Sequence, residues 1–235
     1  MRLFATLPGE LISLFRGLGE AADSVNAKVY LIGAYPRSIL VKEDCSDLEL
    51  VVTGSCEKTV KNFIDNYPLA RNRTINKKDR FTIVPSPYND GDFIRISSSR
   101  EDEKGGVGDI YSETLSRGFS LDALAISLSK NDFGAIIDPT GAVDDIQIKI
   151  LRILHRDVFE KSPIFLIKAL YYVSRYGLSW DPMTEGLWKE AMNKNLYTNL
   201  NLKEINEEIS LIKKEKNGKA VLKLLESYKI IGYRR

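Results

Sequence analysis

The sequence predicts an α/β domain built on a mixed, β-heavy sheet, followed by an all-helical domain. Three observations predict it. Strand-like and helix-like segments alternate through the first 150 residues, strand signals vanish from Asp144 onward, and four helical stripes then succeed one another.

Leu11, Leu14, Phe15, Leu18 and Ala22 recur at helical spacing over 9–24, behind a Pro8 suited to a helix start. Lys28 to Gly33 reads as a strand, Ser38-Ile39-Leu40 as a short helical segment, and Asp47 to Val52 as a second strand ending in Thr53-Gly54. A helix near 56–66 follows, then a basic, turn-rich stretch (Arg71, Arg73, Lys77, Lys78, Arg80) and strands over 80–84 and 92–98. Their link, Pro85 to Gly91, has turn chemistry. Glu101 to Gly108 carries charge and glycine without apolar periodicity and reads as a mobile loop. Phe119 to Leu128 reads as helical, Ala135-Ile136-Ile137 as a short strand, and Asp138 to Gly141 as a turn. Helical stripes cover 163–176, 185–195, 203–212 and 219–228, separated by Gly177, Asn199-Leu200-Asn201 and Asn217-Gly218. The domain boundary is expected near residue 155, giving domains 1–154 and 155–235.

Composition bounds the rest. A chain of 235 residues, 43% hydrophobic, can bury one good core or two modest ones, which excludes a disordered chain. No apolar run approaches the ~20 residues that span a bilayer, and Met1 to Pro8 is too short for a signal-peptide core, so a cytoplasmic location is expected. Cys45, Cys56 and the single histidine, His155, offer no metal-ligand spacing, and both cysteines read as ordinary thiols. Net charge is +2, but residues 151–235 hold 16 Lys and Arg against 10 Asp and Glu. That asymmetry is compatible with nucleic acid lying along the C-terminal part, and equally with solvated lysine-rich helix faces.

The chemistry-bearing pattern is Asp47-Leu48-Glu49. Side chains alternate along a strand, so both carboxylates share one face. Two such groups side by side call for a cation, and Mg²⁺ takes oxygen ligands shared between carboxylates and substrate phosphates. Upstream, Gly33 ends a strand where backbone can approach a phosphate closely, and Arg37 follows as a phosphate partner. Strand, glycine turn, short helix and acidic strand is the order expected of a core for two-metal phosphoryl transfer.

Several segments, in order, carry a resemblance. Val29 to Leu40 is similar to a strand followed by G-G-x-x-R-D-x-L, and Ser46 to Val52 to D-[IL]-D-[LI]-V-V. Arg117 to Ala125 is similar to R-D-F-T-[IV]-N-A-[LM]-A, and Ile136 to Ile146 to I-[IL]-D-P-x-G-G-x-x-D-[IL], closed by Leu151-Arg152. Together they resemble the class II CCA-adding enzyme and bacterial poly(A) polymerase family. The resemblance implies a polymerase-beta-like nucleotidyltransferase head and a helical neck, without the RNA-gripping body and tail of full-length members. It implies Mg²⁺ held by Asp47 and Glu49 as the catalytic pair, and a nucleotide site drawing on Gly33, Ala34, Arg37, Arg117 and Asp122. It also implies ATP or CTP as nucleotide, transfer to the 3′ end of tRNA or another small RNA, and a neck motif E-D-x-x-R that selects the base. A separate protein could replace the tail.

The departures fall where the chemistry lies. The second glycine is Ala34, the aspartate after the arginine is Ser38, and the second metal aspartate is Glu49. The third carboxylate of the pattern aligns with Arg95, or, with a shifted register, with Asp92. The aspartate of R-R-D-F is Gly118, and the base-reading groups align with Lys161, Ser162 and Phe165. Framework positions are kept while polar ones are lost. Three readings stay open: a divergent transferase using Asp47 and Glu49, a catalytically silent RNA-binding or regulatory module, and a partner subunit that no longer meets RNA. A salt bridge from Arg95 to either carboxylate would close the metal site and count against the first. Arg71, Arg73, Lys77 and Lys78 could grip an RNA backbone, although a solvated loop accounts for them equally. Tyr171, Tyr172, Tyr176 and Trp180 read as helix core rather than as a stacking platform.

Overall fold

The opening apolar stripe forms helix α1 (Gly9–Asp23), which buries Leu11, Phe15, Leu18, Ala21 and Ala22. The computed structural model describes residues 4, 7, 9–43, 45, 47–67, 74–77, 80–83, 94–100, 108–214 and 217–231, with backbone alone over 74–77 and 80–83. Arg71, Arg73, Lys78, the 85–91 link, Asp92 and residues 101–107 lie outside the described residues, as does the side chain of Lys77.

Packing divides the chain into two units. The first takes residues 1–117 and 122–142, the second 118–121 and 143–235. The sequence draws the boundary near 155, whereas the packing draws it at Val143, because Phe119 bridges Ile153 and residues 150–151 pair with 179–180.

The first unit is a seven-stranded sheet. Its strands are β1 (Lys28–Ile32), β2 (Leu48–Thr53), β3 (Thr74–Lys77), β4 (Arg80–Ile83), β5 (Ile94–Ser98), β6 (Ala125–Ser127) and β7 (Ile136–Ile137), in spatial order β3-β4-β5-β2-β1-β6-β7. Only β2 and β5 run parallel; every other neighbouring pair is antiparallel. Val29, Leu31, Leu48, Leu50, Val52, Ile94 and Ile96 send alternate side chains to one face, where α1, α2 (Ala34–Val41) and α3 (Cys56–Asn66) cover them. Ser55 caps α3 by accepting from the Lys58 amide. On the opposite face Tyr30, Ile32, Val51 and Ala125 pack with Ile110 of α4 (Ile110–Leu115), which among the described residues covers that face only in part. Glu49 therefore lies on the less covered face.

Three sequence expectations are corrected. Phe119 to Leu128 is a 3₁₀ turn over Ser120–Asp122 followed by β6, not a helix. All three β6 residues are buried between β1 and β7, so both faces need apolar or small residues and the period-two signature disappears. The basic stretch holds β3, which pairs antiparallel with β4. Strand pairing also persists beyond Asp144: β8 (Ile150–Leu151) and β9 (Ser179–Trp180) form a two-residue parallel pair.

The second unit is otherwise helical. After α5 (Ala142–Gln147), which begins at the division, come α6 (Val158–Lys161), α7 (Ile164–Tyr176), α8 (Pro182–Asn193), α9 (Leu202–Lys214) and α10 (Gly218–Ser227). Gly177 ends α7 in the left-handed region at φ 60°, which a glycine adopts without strain. Asp181 caps α8 by accepting from the Thr184 amide. Tyr171 and Tyr172 are buried in this core, with Tyr176 and Trp180 packed against it. No helix among the described residues is long and apolar enough to cross a membrane.

Candidate active site

The β2–β5 register decides what surrounds the carboxylates. Glu49 pairs with Arg95, while Ile94 and Ile96 point to the covered face, so Arg95 stands beside Glu49 on the open one. Asp47, one residue before β2, shares that side, and the Arg95 guanidinium donates to its carboxylate. Both side chains are about half exposed, at 46% and 49%.

Glu49 has its own cation. Arg117 Nη2 lies 3.6 Å from Glu49 Oε1 and 3.0 Å from Glu113 Oε1. Glu113 is nearly fully buried, and its other oxygen accepts from the Arg100 amide at 3.2 Å. Helix α4 makes this possible: Asp109 caps it through the Ser112 amide at 2.7 Å, and the i,i+4 spacing stacks Glu113 under Arg117. The sequence reading passed over Glu113 and Arg100. The i,i+4 pair behind an Asp cap is the signal for Glu113, whereas Arg100 meets it from 13 residues away and carries no local signal.

Gly33 takes φ 74° as the N-cap of α2, and a Cβ there would sit 2.9 Å from Glu49 Oε2. The backbone conformation thus favours glycine, and the Glu49 carboxylate rests where a Cβ would otherwise point. Ala34 opens α2, and Arg37, one turn on, is buried with its guanidinium on the Asp122 carboxylate. The structure therefore brings Asp47, Glu49, Gly33 and Arg117 together. It places Arg37 with Asp122, in an ion pair almost closed to solvent.

The resemblance implies Mg²⁺ here, and the donor set as placed does not fit it. Mg²⁺ needs oxygen ligands in near-octahedral array, yet Asp47 is engaged by Arg95, Glu49 is faced by Arg117, and the strand position beside Glu49 holds a cationic side chain. Among the described residues Asp47, Glu49 and Glu113 are matched by Arg95, Arg117 and Arg100, so their charges balance. Among the described residues no group of three or more His, Cys, Asp or Glu is placed to hold a metal.

In the second unit, the aligned base-reading position is Phe165. Its ring lies edge-on to Phe119 at 5.4 Å between centroids and fills the space over Gly118, where an added Cβ would overlap it.

No family model matches the chain. It is 26% identical, over 93% of its length, to an A-adding tRNA nucleotidyltransferase of Geobacter sulfurreducens, of which it covers 25%. Among solved structures, the Thermotoga maritima CCA-adding enzyme complexed with tRNA superposes with a TM-score of 0.84 at 23% identity, over 97% of this chain and 53% of that one. A CCA-adding enzyme in complex with ATP superposes with a TM-score of 0.85 at 24% identity, again over 97% of this chain and 54% of that one. The chain thus spans a quarter of that curated relative and about half of the solved enzymes. The solved enzymes show the fold: this chain has the fold of about half of a CCA-adding enzyme, and its sequence is similar to that of A-adding tRNA nucleotidyltransferases.

Proposed function

We propose that this chain is a nucleotidyltransferase head and neck that binds the 3′ region of a tRNA-like RNA without carrying out metal-dependent nucleotide transfer. One observation carries the reading: Arg95 engages Asp47 from the strand position beside Glu49. An exposed ion pair of this kind contributes only about 0–1 kcal/mol, so its strength is not the obstacle. The obstacle is the charge itself. A guanidinium held about 6 Å from a divalent cation repels it by on the order of 1–5 kcal/mol, from bulk-water to near-surface dielectric. Phe165, at the aligned base-reading place, offers a ring in place of a hydrogen-bonding group.

Binding is supported by the relatives, solved with tRNA and with ATP, and by the basic share of residues 151–235. Electrostatic contacts to phosphates need neither a metal nor base selection.

The test is incorporation of labelled ATP and CTP into a small-RNA pool with Mg²⁺ or Mn²⁺, beside Asp47→Ala, with RNA binding measured across a salt series. The expected result is no incorporation, with RNA affinity falling linearly in log–log against salt. Salt-insensitive or absent binding would favour a partner subunit that no longer meets RNA. A second reading, a rewired transferase, draws on Gly33, which keeps φ +74° at the end of β1 with the Glu49 carboxylate against it. Incorporation that vanishes in Asp47→Ala would establish it.

A further inference from the structure

We infer that Arg95 is the built-in counter-ion of the Asp47–Glu49 pair and is the residue that keeps a divalent cation off these carboxylates. The inference deepens the function proposed above and rests on it.

The argument turns on which cation is committed elsewhere. Arg117 is closer to Glu113 than to Glu49, 3.0 Å against 3.6 Å, and Glu113 is buried and anchored to it by the helical i,i+4 spacing. Removing Arg117 would strand a buried carboxylate, so its first duty is to α4. Among the described residues Arg95 has no comparable anchor. It stands half exposed on β5, with its backbone fixed by the ladder and its charge delivered to Asp47. The two carboxylates come from one face of one strand end, two residues apart, with the Glu49 carboxylate resting against Gly33. A single side chain therefore separates a neutral salt-bridge cluster from a pair of oxygen ligands with a net demand for positive charge. Exchanging it for a carboxylate would set a third acidic side chain at the strand position beside Glu49, in reach of the same cation.

The experiment is a Mn²⁺ titration of the full chain, read by the electron paramagnetic resonance signal of free Mn²⁺. It compares the wild type, Arg95→Asp, Arg95→Asn, and each with Asp47→Asn, with circular dichroism confirming the fold. Arg95→Asp is expected to bind Mn²⁺ at least about tenfold more tightly than the wild type, Arg95→Asn to fall between them, and the gain to disappear with Asp47→Asn. Arg95→Asn adds no third carboxylate, so it keeps the test decisive should Arg95→Asp not fold. A wild type that already binds Mn²⁺ at a site removed by Asp47→Asn would overturn the inference. So would folded Arg95 variants that gain no affinity. The two proposals fail separately, since nucleotide incorporation by the wild type contradicts the silent reading whatever the titration shows for the variants.

Discussion

Phe165 lies so close over Gly118 that no side chain fits on the glycine: an added Cβ would run into the ring. The two positions that the sequence resemblance aligns with an aspartate and a base-reading arginine thus hold a glycine and a phenylalanine that touch. The replacement is one of volume as much as of charge. Gly118→Ala should destabilise the chain by about 1–3 kcal/mol through overpacking, lowering Tm by about 2–4 °C per kcal/mol. In a Phe165→Ala background the same change should cost little, because the ring that it meets is gone. Thermal denaturation of the four chains of this double-mutant cycle checks it, and strictly additive effects would show that the two positions do not share the space.

Arg37 and Asp122 are 85 residues apart in sequence, and their side chains are only 8% and 16% exposed. A pair this buried is costly to break from one side, because the survivor keeps its charge without its partner. Arg37→Met is expected to lose about 3–5 kcal/mol, and the loss should change little with salt. A free phosphate-binding arginine predicts the opposite pattern, with stability kept and triphosphate affinity lost. Urea denaturation at two ionic strengths, beside a titration with ATP, separates the two.

What the sequence made legible follows the range of the interaction. Asp47 and Glu49 are read from the two-residue period of one strand, and Gly33 from its place at a strand end. Helices α1, α3 and α7 declare themselves because each buries one face only. The β6 strand does not, since a segment buried on both faces carries no period. Arg95 could be aligned to the acidic position, but its pairing with Glu49 depends on a parallel register between strands 46 residues apart. Glu113 carries a local signal in its i,i+4 spacing to Arg117, but the Arg117 guanidinium reaching on to β2 is as long-range as the register of Arg95. The framework and the meeting of Arg95 with one of the two carboxylates were therefore readable, whereas which carboxylate it meets and the Glu113–Arg117 pair beside it were not.

Asp145 is buried in the second unit and links three of its segments. It accepts from Ser120 Oγ at 2.7 Å and from Arg152 Nε at 3.0 Å, while Arg152 Nη1 reaches Asp181 at 2.9 Å. The hydrogen bonds to Asp145 raise the Arg152 pKa above its ordinary value. Asp145→Asn keeps the shape and removes the charge, so Arg152 loses its main partner. Because the Arg152 side chain is 39% exposed, water recovers part of the loss, and about 1–3 kcal/mol is expected rather than the full cost of a buried pair. A melting temperature within 1–2 °C of the wild type, on the order of 0.5 kcal/mol, would mean that the network is dispensable.

Asp109 ties pH to the helix that positions Arg117. Its carboxylate accepts from the Ser112 amide at 2.7 Å and from Ser112 Oγ at 2.9 Å, and these bonds, the amide first, hold its pKa below the ordinary 3.8. A carboxylate lowered on folding stabilises the fold at pH above its unfolded value and loses that contribution as pH falls through the folded value. The cap therefore operates in full at neutral pH and fades only below pH 3.8. Asp109→Ala should cost about 1 kcal/mol at pH 7, as for other N-caps, and the gap from the wild type should narrow once pH falls below that value. Urea denaturation of both chains from pH 7 downward measures the gap. A constant difference into the acid limb would show that the carboxylate charge has no part in the cap. If the difference does close with acid, α4 should fray with it, and Arg117 should leave Glu49 before the sheet itself unfolds.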